Sequence, residues 1–505
     1  MSAREIRRMA VVGAGVMGAG IAQIAAQAGV SVQLFDNRPG AAQAARDSIL
    51  ATLEKLAGKG KLSEQQVQAA GDNLIAAGSL AELADAQLVV EAIVENLAIK
   101  RVLLADLEAV VADDCLLASN TSSLSVTAIA AQCRVPGRVG GFHFFNPVPL
   151  MKIVEVIDGL KSEAWVGPTL LALGERMGHT AVRAQDTPGF IVNHGGRGYG
   201  TEAMRVLSES VTDPLTLDRI LREQAGFRMG PCELFDLTGL DVSHPVTESI
   251  YDQYYQEPRY RPTLITGQRL QAGLLGRKSG QGFYRYVDGV QQVPVEAPSP
   301  CVALPTVWVS NARPQAREAV VERLERLGAR VDTAPRPGPE SLCLVLPLGT
   351  DATHAAIAEG LDPLRTLALD TLLPLTRRRV LMTTTVTSPG WSDAAHALLA
   401  ADGTPVSVIR DSGGFVAQRV LAHIVNIACD MAQQGVASPR DIDSAIRLGL
   451  GYPLGPLAWG DALGADTLLQ ILDRLHDFYR DPRYRPSPWL MRRARLGLSL
   501  LASDS

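Results

Sequence analysis

A chain of 505 residues exceeds what one hydrophobic core usually serves and implies several domains. Its 47% hydrophobic and 20% charged residues suit a globular protein in water, and a formal net charge of -5 offers no broad attraction for nucleic acid. Six scattered cysteines (Cys115, Cys133, Cys232, Cys301, Cys343, Cys429) form no CxxC pair, which predicts reduced thiols in a cytoplasmic compartment. No signal peptide is read before the first element, no run approaches the roughly 20 apolar residues of a membrane span, and no metal-ligand spacing occurs. Seven lysines serve the chain and none follows Lys278, so phosphates met by the second half would be met by arginine.

In chain order, a short apolar strand at Arg8 to Val12 leads into GAGVMGAGIAQIAAQAG and then VSVQLFD, Val30 to Asp36, a strand–helix–strand unit. Gly13, Gly15 and Gly18 fit GxGxxG: the first permits a tight turn, the second lets backbone approach a pyrophosphate, and the third lets helix pack on strand. The cofactor turn is read as Gly13, Gly15, Val16, Met17 and Gly18, with free N–H groups at the helix start for phosphate. Asp36, placed to accept both ribose hydroxyls, would repel a 2′-phosphate and so favours NAD over NADP. Incidental glycines in an alanine-rich helix, or an FAD fold, are the alternatives. Residues 40–70 read as one long helical stretch with a basic edge at Lys55, Lys59 and Lys61. Further strands are expected at Gln87 to Glu95 and Leu116 to Asn120, and a paired set at Val139 to Asn146 and Met151 to Ile157.

Taking hydride from a secondary alcohol requires a base for the hydroxyl proton. His143, in FHFFN at the end of an apolar strand, carries an imidazole, a group suited to proton transfer and costly to bury uncommitted. Glu155, twelve residues on in the partner strand, can orient the ring; a buried histidine with a structural acceptor is the alternative. Ser122 and Ser123 follow LASNT at the carboxyl edge of a strand, where open sheets bind ligands. A hydroxyl there can donate to a substrate oxygen and Asn120 can contact the cofactor ribose, although serine-rich turns are common. Asn193 could donate to a ketone or thioester carbonyl.

Beyond Asp186-Thr-Pro-Gly189 the chain reads as mostly helical to about Arg277, and a Val/Pro/Gln-rich linker follows. The plan then repeats. DTPGFIVN (186–193) is echoed by DSGGFVAQ (411–418), FRMGPCELFDLTG by YPLGPLAWGDALG, and PRYRP at 258 by PRYRP at 482, in a register of 224–225 residues. Residues 306–410 look α/β, but SNARPQ (310–315) replaces the glycine turn, so that segment is expected to bind no dinucleotide. The predicted order is a Rossmann-like α/β dinucleotide-binding domain (1–187), an all-α helical domain (188–286), a linker (287–305), a degenerate α/β segment (306–410) and a second all-α module (411–497).

The segments VVGAGVMGAGIA, VVEAIVEN, LASNTSSLSVT, GFHFFNPVPLMKIVEVI, DTPGFIVN and GPCELFDLTGLD resemble those of the L-3-hydroxyacyl-CoA dehydrogenase family over residues 6–285. That resemblance implies NAD as cofactor and an acyl-CoA thioester as substrate. It implies His143 as base with Glu155 as its partner, and Ser122 and Asn193 as substrate contacts. It places Glu95 and Lys100 beside the nicotinamide, counts Asn120 and Asn146 among the cofactor contacts, and assigns coenzyme A phosphates to Lys59, with Lys55 beside it. The longer relatives act in 3-hydroxybutyryl-CoA oxidation and, on 3-hydroxyadipyl-CoA, in phenylacetate breakdown.

After Asn193, His194-Gly195-Gly196 depart from the family's bulkier residues, and added backbone freedom there would either widen the acyl pocket or alter domain closure. The spacing from Leu381 to Asp411 implies that the second copy lacks the whole HFFNP and VEV region. Gln418 stands where Asn193 would be. One active site per chain is therefore expected, with the second helical module packed on the first in place of a dimer or within one. The competing readings are a dehydrogenase of a free 3-hydroxy acid and a noncatalytic dinucleotide-binding assembly protein.

Overall fold

The computed structural model describes residues 3–504 and divides into two compact units, one of residues 3–195, 431–451 and 503–504 and one of 196–430 and 452–502. The first unit is built on an eight-stranded sheet of order β3-β2-β1-β4-β5-β6-β7-β8. Its strands are β1 (Arg8–Val12), β2 (Ser31–Phe35), β3 (Leu74–Ala76), β4 (Leu88–Glu91), β5 (Leu116–Ser119), β6 (Val139–Phe144), β7 (Ile153–Asp158) and β8 (Thr180–Gln185). Most of them are apolar runs buried on both faces, as a parallel sheet clad by helices requires. Only β7 runs against its neighbour β6, because the short proline-bearing connection between them returns the chain as a hairpin.

The covering helices are α1 (Val16–Gln27), α2 (Ala41–Gly58), α3 (Glu64–Asp72), α4 (Leu97–Glu108), α5 (Val126–Ala130) and α6 (Val166–Arg176). The long stretch expected over 40–70 is two helices. Gly60 takes a left-handed turn after α2, and Ser63 opens α3 with a capping box closed by Gln66. The strand expected to reach Glu95 ends at Glu91, and Asn96 caps α4 through the Ile99 N–H, so Glu95 lies in a loop.

The next helix, α7 (Val192–Ser208), begins in the first unit and continues into the second. There it is followed by α8 (Pro214–Arg219), a π-helical turn (Ile220–Gln224), α9 (Pro231–Thr238), α10 (Leu240–Gln253) and α11 (Leu264–Gln271). A hairpin of β9 (Arg285–Val287) and β10 (Val290–Gln292) occupies the start of the expected linker. Six strands then form the second sheet: β11 (Thr306–Val309), β12 (Arg330–Asp332), β13 (Ser341–Val345), β14 (Thr366–Leu369), β15 (Arg379–Thr383) and β16 (Val406–Ile409), in the order β12-β11-β13-β14-β15-β16. With them come α12 (Pro314–Arg326), α13 (Ala352–Ala358) and α14 (Pro389–Leu399). The last helices are α15 (Val416–Gln433), α16 (Pro439–Leu450), α17 (Pro456–Leu463), α18 (Ala465–Tyr479) and α19 (Pro488–Leu496), of which α16 belongs to the first unit.

The second sheet corrects one expectation. β15 is antiparallel to β14 and parallel to β16, the pattern of β7 between β6 and β8. Ser125 caps α5 through the Ala128 N–H, and 226 residues on Asp351 caps α13 through the His354 N–H. The counterparts of the HFF and VEV strands are therefore present as β14 and β15. What is shorter is the stretch between β12 and β13, which replaces the helices and strands from α2 to α4. The letters of the motif vanished while its strands persisted.

The second unit is organised around α15, whose residues are buried from Val416 to Met431. An all-round buried helix must pair each polar side chain. Arg419 donates to Glu202 at 2.8 Å and to the Tyr484 hydroxyl at 3.0 Å, while Asp430 meets Arg259 at 2.7 Å. Asn426 binds Arg485 O at 2.9 Å and accepts from Ser487 N at 2.7 Å. Arg259 and Arg483, from the two PRYRP turns, reach across to Arg485 O and Arg259 O, so equivalent turns of the two helical modules lie together.

Candidate active site

The glycine turn is built as its spacing demands. Gly13 has φ +103°, and a Cβ there would lie 2.7 Å from Ala92 O; one on Gly18 would strike Gly13 O. A Cβ on Gly15 would meet only open space, which is the approach a pyrophosphate needs. The first turn of α1, where Val16 is exposed, has no side-chain cap and no acidic residue, so its N–H groups are available to phosphate. Asp36 accepts from Ala14 N at 2.8 Å and from both Arg38 nitrogens, at 2.9 and 3.0 Å. The Arg38 hydrogen bonds hold its carboxyl well below the ordinary range, so it is ionised wherever the protein is folded at neutral pH. Gly13, Gly15, Asp36, Ile93, Ile99 and Val102 line one cleft with a charged end and an apolar floor. These features fit a dinucleotide with a free ribose diol.

Around the carboxyl ends of β4–β6 and the amino end of β7, most of the expected polar residues are joined by contacts. His143 and Glu155 are register partners across β6 and β7, with Nδ1 and Oε2 2.6 Å apart and both side chains buried. The other Glu155 oxygen accepts from Ile191 N at 2.9 Å and Val192 N at 2.8 Å, at the start of α7. Three donors therefore surround a carboxylate with no exposed surface, which compensates its desolvation. With Nδ1 committed to Glu155, Nε2 is the ring atom left to take a proton.

One residue beyond Val192, Asn193 directs its amide at Ser122 O, 3.4 Å away. Ser122 N and Ser123 N both donate to Glu95 Oε1, at 2.9 and 3.0 Å, as does the Thr121 hydroxyl at 2.7 Å. Burial raises the Glu95 carboxyl, but the Thr121 hydroxyl, the Lys100 ammonium and the Ser122 N–H outweigh it and leave it below its ordinary value. Asn120 accepts from Phe144 N at 2.8 Å, tying the serine turn to the histidine strand.

Some expected residues lie elsewhere. Asn146 is exposed beyond β6, and Lys55 and Lys59 are exposed at the end of α2. Lys100 is not turned outward: its ammonium is buried between Glu91, at 2.8 Å, and Glu95, at 3.3 Å. Glu91 was missed by sequence reasoning, which took only the second acid of VVEAIVE; a glutamate inside a buried apolar strand is itself the signal. It also receives the Ser119 hydroxyl. Asp186 was missed as well, and it accepts from Ser125 Oγ, Val126 N and Thr127 N at the start of α5. The His194-Gly195-Gly196 stretch is helical. Gly195 lies inside α7, and Cδ1 of Ile446 in α16 takes the space a side chain there would fill.

The counterpart positions in the second unit carry other side chains. His143 corresponds to Asp370, Glu155 to Val380, Ser122 to Leu348 and Asn193 to Gln418. Asp370 and Gln418 are fully buried and 2.9 Å apart; Gln418 also accepts from Gly349 N, and Gln224 donates to Asp370 at 3.1 Å. Across the strand ends, Arg313 donates to Leu346 O and Thr371.

A glycine turn with an ionised ribose acceptor, beside a carboxylate-held imidazole and two hydrogen-bond donors, defines an NAD-dependent dehydrogenase of the open α/β class. The comparisons with known proteins agree. The NAD-binding domain of 3-hydroxyacyl-CoA dehydrogenases matches residues 8–187, and the C-terminal domain of the same enzymes matches twice, at 189–286 and 414–500. The chain belongs to the 3-hydroxyacyl-CoA dehydrogenase family and carries out NAD-dependent oxidation of a 3-hydroxyacyl-CoA. It is 38% identical to a 3-hydroxyadipyl-CoA dehydrogenase of Escherichia coli K12, over 97% of this chain and 98% of the relative. A probable 3-hydroxybutyryl-CoA dehydrogenase of Bacillus subtilis is 40% identical, covering 56% of this chain and 98% of that protein. The crystal structure of a 3-hydroxybutyryl-CoA dehydrogenase from Escherichia coli K12 superposes with a TM-score of 0.85 at 37% identity, covering 98% of this chain and 99% of that one.

Proposed function

We propose that His143 is the general base, with Glu155 as its charge partner and Ser122 and Asn193 as the groups that orient substrate oxygens. The observation that carries this reading is the 2.6 Å His143–Glu155 contact, whose carboxylate is fixed from behind by two backbone N–H groups. The C3 hydroxyl proton passes to Nε2, and the ionised Glu155 stabilises the imidazolium that forms. NAD supplies the hydride acceptor when bound; Gly13, Gly15, Val16, Met17, Gly18 and Asp36 hold its adenosine and phosphates, and Glu95, Lys100, Asn120 and Asn146 serve its nicotinamide half. Lys100 acts there through Glu95, and Lys59 with Lys55 meets coenzyme A phosphate. Replacing His143 by Ala is expected to lower turnover about 10²–10⁴-fold while NADH binding, followed by fluorescence, stays intact. Unchanged turnover would remove His143 from the mechanism.

The substrate we propose is 3-hydroxyadipyl-CoA of phenylacetate breakdown, supported by the full-length relative of that name. Steady-state rates across 3-oxoacyl-CoA substrates test it: a kcat/KM for the dicarboxylic thioester no higher than for acetoacetyl-CoA would overturn it. We further propose the domain limits 1–187, 188–286, 306–410 and 411–497, one active site per chain and a cytoplasmic location, the last supported by six free cysteines. No helix among the described residues is long and apolar enough to cross a membrane. Pairing of the two helical modules within one chain, supported by the adjacent PRYRP turns, is proposed to stand in for dimerisation.

A further inference from the structure

The second helical module contributes α16 to the first unit, where it lies along β7 and β8 and Val436 O accepts from Gln185 N at 2.8 Å. Two of its residues meet the first turn of α7 on either side of Asn193. A Cβ built on Gly449 would lie 2.8 Å from both Val192 methyl carbons, closer than real carbons approach. Ile446 fills the space above Gly195. The counterpart of Gly449, 225 residues earlier, is Gln224, whose amide reaches Asp370 at the position equivalent to His143. The same helical position thus carries a long polar side chain that reaches Asp370 in one half and no side chain, against Val192, in the other.

We propose that α16 is a positioning element for the first half's dyad, with Gly449 and Ile446 fixing where Val192 and Gly195 lie. Val192 N is one of the two donors on Glu155, and Asn193 follows directly, so the seat of α7 sets both the carboxylate and the amide. The space is closed: Val192 and Gly195 are buried, and a packed interior passes a displacement on instead of absorbing it. This inference rests on the assignment of His143 and Glu155 as the reacting pair.

The test is Gly449→Ala in the full-length chain, assayed by NADH consumption with acetoacetyl-CoA. A shift of several tenths of an ångström or more at the dyad is expected to lower kcat about tenfold or more. The NADH dissociation constant should stay within about twofold, because the glycine turn is untouched. The pH profile of kcat/KM should move along the pH axis, since the donors that hold Glu155 are displaced. Adding Val192→Ala, which frees the space the new methyl needs, should restore most of kcat and return the profile. Parental kcat and pH profile in Gly449→Ala would overturn the proposal, as would a kcat loss that Val192→Ala does not repair. If Gly449→Ala does not fold, Ile446→Val loosens the neighbouring contact of α16 with Gly195 without adding an atom, and there too an unmoved pH profile would overturn it. Failure of the dyad assignment is read separately, as turnover surviving His143→Ala.

Discussion

At residue 143 a strand ends on an imidazole held by a carboxylate; at residue 370 the equivalent strand ends on a carboxyl sealed under two glutamines. Backbone pairing is the same in both places, down to the antiparallel partner that carries Glu155 in one sheet and Val380 in the other. One backbone frame thus carries different side chains at four equivalent positions. The polar groups of the second region are satisfied internally: Gln418 donates to Asp370 and Pro347 O and accepts from Gly349 N. In the first region His143 engages Glu155 through Nδ1.

The contrast breaks most directly at Glu155. Glu155→Gln is expected to cut kcat about 10²-fold or more, because an amide can neither carry the charge nor accept from all three donors. Retained turnover in an NADH-consumption assay would mean that Val380 is not a meaningful difference. Next in size is Glu202→Gln, which leaves the fully buried Arg419 short of its partner and should cost about 3–5 kcal/mol in a denaturant titration. Burial alone would raise Glu202, but Arg419 and Arg483 outweigh it and bring it to about 2 from 4.5. A depressed carboxyl contributes stability that is complete above about 4.5 and is lost as pH falls towards about 2. The parent should show that acid loss and the variant should not.

Asp370→Asn should be milder, with kcat unchanged and stability at neutral pH altered by about 1 kcal/mol or less. Burial raises the Asp370 carboxyl, and Gln224 Oε1 is buried without a hydrogen-bond partner. Rotating the Gln224 amide therefore lets it accept from the substituted amide or from a protonated Asp370. A raised carboxyl loses stability as pH climbs from its unfolded value through its folded one, and the asparagine variant should lack that decline in thermal melts between acid and neutral pH. Smallest of all, Arg313→Ala should leave kcat within about twofold and NADH stoichiometry by calorimetry at one per chain. A second equivalent would show that the degenerate half binds dinucleotide once Arg313 is gone.

The glycine turn and the His143–Glu155 register were legible in the sequence because both depend on local rules: a strand followed by GxGxxG, and two β-rich runs joined by a short proline-bearing link. Ser122 was picked out by its place at the carboxyl edge of a strand, but only family likeness set it and Asn193 apart from common serine turns and isolated amides. Glu91 was overlooked although an acid inside LVVE is anomalous on its face. The correspondence of β14 and β15 with β6 and β7 was missed because likeness of letters was followed where hydrogen-bond pairing is what persists. The seat of α16 on α7 could not be read at all. It joins residues about 250 positions apart, and a glycine at 449 gives no hint of the valine it must clear.

That seat lies within one polypeptide. A helix lent by a separate subunit would leave whenever the protein fell below the dissociation constant of the pair, and the residues it supports would slacken with it. Here the covalent tether keeps the local concentration of α16 high however dilute the enzyme becomes. Specific activity should accordingly hold constant down to concentrations at which two-chain assemblies come apart.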